Sequence, residues 1–334
     1  MALGLKSDYL YPDNLRLTRQ YNLFKNILFQ KRGRLISYPR RYSIEPTTVC
    51  NLRCPCCIHS RYDESIHLKR EVMTYDAFEI IFEKIKRYAL LVEFYNFGEP
   101  FLNKDTPAMV STATRAGIRS RISSNMSAKM SDSYIRQIVE SGLYRLTCSI
   151  DGATQEVYEK YRAGGNLATV LDNADRVIFY KKKLRKKYPL VVYRMLVFEW
   201  NQSSVDDARR LARDHGFNKF YADAGSFDVE GKRVIWDMQT KRWKEKGPKF
   251  CAGIPEKAPI PCEWLFNGMI INANGNVMPC CFSSLKKGEH LSLLHNSLED
   301  IWNSPLYINT RLYTLGLSTD RSTVFPLCRN CRLL

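Results

Sequence analysis

At 334 residues, with 45% apolar and 12% aromatic side chains, the chain has material for one large domain, a smaller appendage and a sizeable core. No stretch reaches the roughly eighteen uninterrupted apolar residues of a membrane span, and residues 1–20 lack the apolar centre of a secretion signal. A cytoplasmic location without a membrane partner is therefore expected. The net charge of +17 is densest at 181–187 and leaves nucleic acid open as a partner class. No aromatic residue interleaves within that run, so the sequence does not favour it.

Residues 1–42 are basic and weakly patterned, which predicts a helical N-terminal extension. Apolar or β-branched stretches follow at 42–48, 91–97, 118–124, 144–150, 190–197 and 217–224, separated by amphipathic stretches such as 75–86 and 131–140. Six strands alternating with helices predict parallel β/α units, here an α/β partial (β/α)6 TIM-like barrel over 43–240. Residues 241–261 carry prolines, glycines and lysines and read as a linker. Residues 269–278 contain two short strands around Asn274-Gly275, a hairpin signal, and a short helix is expected at 297–303. The 241–334 region is small for an unaided core, so a metal staple is expected in this hairpin–helix domain.

Eleven cysteines in a cytosolic chain of this size point to metal or catalytic roles. Cys50, Cys54 and Cys57 lie just past the first predicted strand, at the end of a β/α barrel that carries chemistry. Three thiolates in C-x3-C-x2-C spacing can grip three irons of a cubane and leave one iron open to a chelate. The spacing alone also admits a structural zinc, with Cys56 or His59 as fourth ligand.

This loop resembles the signature of the radical S-adenosylmethionine (SAM) superfamily, and later segments over 43–224 match that family in order. Phe97-Gly98-Glu99-Pro100 is similar to its Gly-Glu turn, which implies that the Gly98 backbone and Glu99 bind the SAM amino group. Ser124-Asn125 resembles the polar turn near the ribose. Ser149-Ile150-Asp151-Gly152, followed by Tyr161-Arg162, resembles the groups that hold the SAM carboxylate and ribose. One departure is Cys56, where the family usually has a bulky residue beside the adenine. The resemblance implies a SAM-binding [4Fe–4S] cluster on Cys50, Cys54 and Cys57, bound SAM, and an electron donor such as flavodoxin or ferredoxin. It also implies reductive cleavage of SAM to a 5′-deoxyadenosyl radical that abstracts hydrogen from substrate.

Cys262-Glu263-Trp264, Gly275-x4-Cys280, Asp300-Ile301-Trp302-Asn303 and Cys328-Arg329-Asn330-Cys331 resemble the SPASM/twitch region of the same superfamily, which holds auxiliary clusters. Four ligands, Cys262, Cys280, Cys328 and Cys331, imply a single second [4Fe–4S] cluster of the twitch type; a zinc ribbon is the alternative. Side chains alternate along a strand, so Cys148 is expected against the helices if Ser149 and Asp151 face the interior. Cys281 reads as a spare ligand. Cys251, in the linker, reads as a buried bystander or a hydrogen-atom donor. Glu199 and Asp223, near the ends of the fifth and sixth strands, are candidate substrate contacts. The expected reaction is oxidation or epimerisation of a polar small molecule such as a carbohydrate or aminocyclitol. Modification of a ribosomally made peptide is disfavoured by the short region before the barrel; modification of tRNA is a further alternative. A non-catalytic iron–sulfur redox or RNA-binding protein is the rival from another class, and it predicts no SAM cleavage.

Overall fold

The computed structural model describes residues 17–29, 33–35, 37–55, 57, 70–224, 226–229, 232–237, 242–246, 262–280, 291–325 and 328. After α1 (Leu17–Phe29), the chain alternates β1 (Arg41–Ile44), α2 (Tyr75–Ile85), β2 (Leu91–Glu93), α3 (Thr106–Arg115), β3 (Arg119–Ser124), α4 (Asp132–Glu140) and β4 (Arg145–Ser149). α5 (Gln155–Glu159) and α6 (Leu167–Lys183) then lead to β5 (Leu190–Val197), α7 (Val205–Asp214) and β6 (Lys219–Ala224). β1 to β6 lie side by side in chain order, every pair parallel. This is the partial (β/α)6 barrel that the sequence predicts.

Side-chain caps start several of the helices. Thr74 caps α2 by accepting the Ala77 N–H at 3.2 Å, and Phe78, Ile81, Phe82 and Ile85 form its buried stripe. Ser131 and Asn166 do the same for α4 and α6. Along the strands, Tyr42, Ile44, Val92, Ile122, Leu146, Cys148, Val191 and Tyr193 join the apolar core between sheet and helices. The alternate row is polar: Ser43, Glu93, Arg121 and Arg145 are cross-strand neighbours. Period two therefore gives the barrel an apolar outside and a polar lumen. Buried Glu93 is paired there, accepting from Arg41 Nε at 2.5 Å and from the Tyr95 hydroxyl at 2.8 Å.

Beyond β6 an antiparallel sheet of β7 (Ser226–Val229), β8 (Lys232–Asp237) and β9 (Arg242–Lys246) occupies a region where the sequence suggests the end of a barrel and a linker. α8 (Glu263–Asn267) follows, then β10 (Gly268–Ile271) and β11 (Val277–Met278) form the expected hairpin, with Gly275 at φ +80° in its turn. β10 also pairs in parallel with β1, so the hairpin extends the barrel sheet to eight strands. α9 (Leu298–Trp302) and α10 (Pro305–Thr314) complete the described elements.

The N-terminal extension fastens these parts. Buried Arg19 donates to the carbonyls of Lys86, Ala116 and Gly117 at the ends of α2 and α3, where helix dipoles are negative. The Trp302 indole donates to Ser37 O at 2.8 Å, and the Asn303 amide brackets the backbone of Leu35. No described helix is long and apolar enough to cross a membrane.

Candidate iron–sulfur and SAM site

The chain leaves β1 through Glu45 into the loop that carries Cys50, Cys54 and Cys57. Backbone bonds fix this loop to two later segments: Glu99 N donates to Val49 O at 2.8 Å, and Arg53 N to Ala163 O at 3.0 Å. Cys54 is buried, and Cys50 and Cys57 are half-buried. Burial pushes the Cys50 thiol up to about 11, with Glu99, Cys57 and Cys54 adding to the effect. Burial also raises Cys54, against the opposing charge of Arg162. Burial thus holds Cys50 and Cys54 as thiols, which need a strong local cation to become thiolates, and iron supplies it. The donor set fits a cluster. None of the seven described cysteines is in a disulfide.

Gly98 lies directly on this loop. A Cβ there would stand 2.0 Å from Thr47 O, a backbone atom, so only glycine fits. Glu99 lies beside it, but its carboxylate turns inward. It is 3% exposed and accepts from Ser124 Oγ at 2.7 Å, Asn125 N at 2.7 Å and Phe101 N at 3.3 Å. Its oxygens tie the end of β2 to the end of β3, leaving the turn's backbone to face the loop.

Sequence reasoning missed Glu45. It is fully buried, and its Oε1 accepts from Phe97 N at 2.8 Å and Gly98 N at 3.3 Å. Its other oxygen lies toward Ala273 without a full hydrogen bond. Burial pushes Glu45 up to about 7, against the Phe97, Gly98 and Ala273 backbone dipoles. One carboxyl therefore joins the cluster strand, the Gly98 turn and the C-terminal hairpin. Its signal in the sequence is faint, an acid in phase with the polar positions Arg41 and Ser43.

Asn125 reaches the cluster loop itself. Its Nδ2 donates to Asn51 Oδ1 at 2.9 Å and lies 3.8 Å from Cys50 Sγ. The next residue, Met126, takes φ +55°, which is costly for a side-chain-bearing residue. The buried Asn173 amide, donating to Met126 O and Ala128 O at 2.8 and 2.9 Å, holds it there.

On the far side, Arg162 Nε donates to Asp151 Oδ2 at 2.5 Å, and its Nη1 lies 3.9 Å from Cys54 Sγ. Asp151 is fully buried; its Oδ1 accepts from Leu196 N at 2.6 Å. Asn201, also absent from the sequence reading, donates to Asp151 O and Leu196 O, both at 2.9 Å. Ser149 Oγ lies 3.3 Å from Ser123 Oγ. Its cross-strand neighbour Arg194 pairs with Asp223 at 2.7 Å, both side chains half-exposed. Glu199 opens the 3-10 turn Glu199–Ser204. Cys148 is fully buried in the core, its thiol raised by burial. Cys56, His59, Cys251, Cys281 and Cys331 lie outside the described residues.

In the C-terminal region Cys262 occupies the position before α8, Cys280 follows the hairpin, and Cys328 is buried. Tyr307 links two of these segments: its hydroxyl donates to Met278 O at 3.5 Å, two residues before Cys280, and its ring packs on Phe325, whose carbonyl accepts from Cys328 N at 2.8 Å. Burial raises that phenol, Arg311 counters it, and the two thiols add to it. Segments that carry two of the thiols thus meet at one ring, which fits the donor set of a second cluster.

A parallel β/α half-barrel with three loop cysteines under a Gly-Glu turn defines an iron–sulfur SAM enzyme, and family comparison agrees. The Radical SAM superfamily model matches residues 44–212, half of the chain, and the iron–sulfur cluster-binding SPASM model matches 262–332. The chain belongs to the radical SAM superfamily and carries a SPASM domain. A SAM-binding [4Fe–4S] cluster, SAM and auxiliary iron–sulfur come with that membership.

Among particular relatives, the tungsten-containing aldehyde ferredoxin oxidoreductase cofactor-modifying protein of Pyrococcus furiosus is 21% identical over 319 residues, 87% of this chain and 86% of that protein. A probable GTP 3′,8-cyclase of Methanococcus maripaludis is 26% identical over 139 residues, 42% of this chain; the chain spans only 45% of that relative's length. In structure, SuiB of Streptococcus suis bound to S-adenosylmethionine superposes with TM-score 0.64 at 17% identity, over 87% of this chain and 72% of that one. That likeness is one of fold.

Proposed function

We propose that the enzyme abstracts a hydrogen atom from a polar small molecule held in the barrel lumen, and that oxidation or epimerisation at a carbinol carbon follows. When bound, the cluster and SAM supply the 5′-deoxyadenosyl radical for that abstraction. Cys50, Cys54 and Cys57 hold the iron, and Cys262, Cys280, Cys328 and Cys331 hold one auxiliary cluster. The Gly98 backbone receives the SAM amino group, Glu99 fixing that turn by its bonds to Ser124 and Asn125. Arg162, oriented by Asp151, faces the SAM carboxylate, with Ser149 and Asn125 on the ribose side.

The single observation that carries the substrate reading is the half-exposed Arg194–Asp223 pair beside Ser149. It puts a donor fork and an acceptor on the lumen wall, where a hydroxyl- or amine-bearing substrate needs both. Glu199, at the end of β5, is a further substrate contact in this reading, and Cys251 is the hydrogen-atom donor if the outcome is epimerisation.

The test is anaerobic incubation with SAM, reductant and candidate polyols or aminocyclitols, following 5′-deoxyadenosine. Asp223→Asn is expected to keep the slow substrate-independent cleavage and to lose stimulation by substrate. Full stimulation in that variant would contradict the reading.

A second reading, a ribosomally made peptide as substrate, draws support from SuiB, whose solved structures include one bound to precursor peptide SuiA. Stimulation of SAM cleavage by a peptide and by no small molecule would favour it.

A further inference from the structure

A buried arginine lies behind the second set of thiols. Arg311, on α10, is fully buried; its Nε donates to Leu265 O at 2.9 Å and its Nη1 to Gly33 O at 3.1 Å. Its Nη2 has no hydrogen-bond partner, and no carboxylate among the described residues pairs with the guanidinium. The guanidinium carbon stacks 4.1 Å from the Trp302 ring centroid and 5.1 Å from that of Tyr307. Burial pulls Arg311 down to about 9. A charge kept in an apolar interior calls for an opposite charge nearby.

The surroundings indicate where that charge sits. Tyr307, one helical turn before Arg311, donates to Met278 O at 3.5 Å, two residues before Cys280, and packs edge-on against Phe325, whose carbonyl accepts from Cys328 N at 2.8 Å. Leu265, which accepts from Arg311, lies on the helix that Cys262 precedes. One side chain thus touches the helix of one thiol and stacks behind the ring that meets the segments carrying two more.

We propose that Arg311 is the counter-charge of the auxiliary cluster and raises its reduction potential; this rests on Cys262, Cys280, Cys328 and Cys331 being that cluster's ligands. A [4Fe–4S] cube on four thiolates is anionic in both states and gains one negative charge on accepting an electron. A fixed cation in a dry surround favours the more negative state. The Trp302 and Tyr307 rings keep that surround dry, both being fully buried. Arg311 acts through its field, as a positioning residue.

The test uses the full-length chain with Cys50, Cys54 and Cys57 changed to Ala, reconstituted anaerobically so that only the second cluster contributes to the electron paramagnetic resonance signal. A redox titration gives its midpoint, with Arg311→Met and Arg311→Lys in the same background. Arg311→Met is expected to move the midpoint to lower potential, and Arg311→Lys, which keeps the charge, to stay near the parent. Equal midpoints for parent and Arg311→Met, or the same shift in both variants, would overturn the proposal. A parent that binds no iron would overturn the ligand assignment instead, and the inference with it. Arg311→Gln, read by the same titration, replaces Arg311→Met should that variant not fold.

Discussion

Arg162 and the buried Asp151 form a partly buried ion pair, guanidinium Nε to carboxylate Oδ2 at 2.5 Å, with a second branch of the same guanidinium beside Cys54. The pair joins the end of β4 to the cluster loop. Asp151 is fully buried, so removing its partner strands a charge. Arg162→Ala is expected to cost about 3–5 kcal/mol of stability in denaturant unfolding. It is also expected to weaken SAM binding at least ~10-fold, the loss of one charge-assisted contact. Arg162→Lys keeps the charge and recovers most of the stability without the fork geometry. Unchanged SAM affinity in the Ala variant would confine Arg162 to bracing Asp151.

Gly98→Ala tests how closely the Gly-Glu turn rests on the cluster loop. The added methyl meets Thr47 O at 2.0 Å and the backbone carbons of Thr47 and Thr48 at 2.8 Å, none of them a movable side-chain tip. The turn must lift, taking the Phe97 and Gly98 amides off Glu45. Loss of SAM binding with a lowered thermal midpoint is expected; a variant that binds SAM normally would show the turn to be pliable.

Glu45 gives a pH signature. Its carboxyl is pushed from 4.5 to about 7 by burial, with Glu71 adding a small like-charge effect. The folded chain therefore holds a proton between those values that the unfolded chain has released, and stability falls as pH rises through that window. The full effect is on the order of 3 kcal/mol. Glu45→Gln keeps an oxygen for the Phe97 and Gly98 amides and has no charge to bury. Its unfolding free energy is expected to match the parent near pH 4.5 and exceed it at pH 8. An equal pH profile for the two chains would show that Glu45 ionises normally.

Much of the barrel is legible in the sequence because local pattern and burial agree there. The apolar stretch at 190–197 is β5 itself, and Thr74 and Ser131 mark the starts of α2 and α4. The cysteine loop, Gly98, Asn125 and Arg162 are legible as an ordered set, and the fold brings them together. What the sequence does not carry is partner choice across the chain. Gly268–Ile271 is buried on both faces and has no alternation to announce its pairing with β1. Glu45 becomes a hub only once that pairing brings Ala273 beside it. The Glu99 carboxylate has the same history: the motif marks the residue, but only the position of β3 shows which way its oxygens turn. β7 to β9 are short and charged, as Arg242–Lys246 shows, so apolar periodicity passes over them.

The most direct measurement of the central claim is iron content together with SAM cleavage in the anaerobically reconstituted chain. Two cubanes predict about eight irons per chain, and reduction in the presence of SAM is expected to yield 5′-deoxyadenosine. Changing Cys50, Cys54 and Cys57 to Ala is expected to remove about four of those irons and all of the cleavage. Stoichiometric zinc with little iron, or cleavage that survives loss of the three thiols, would contradict the account.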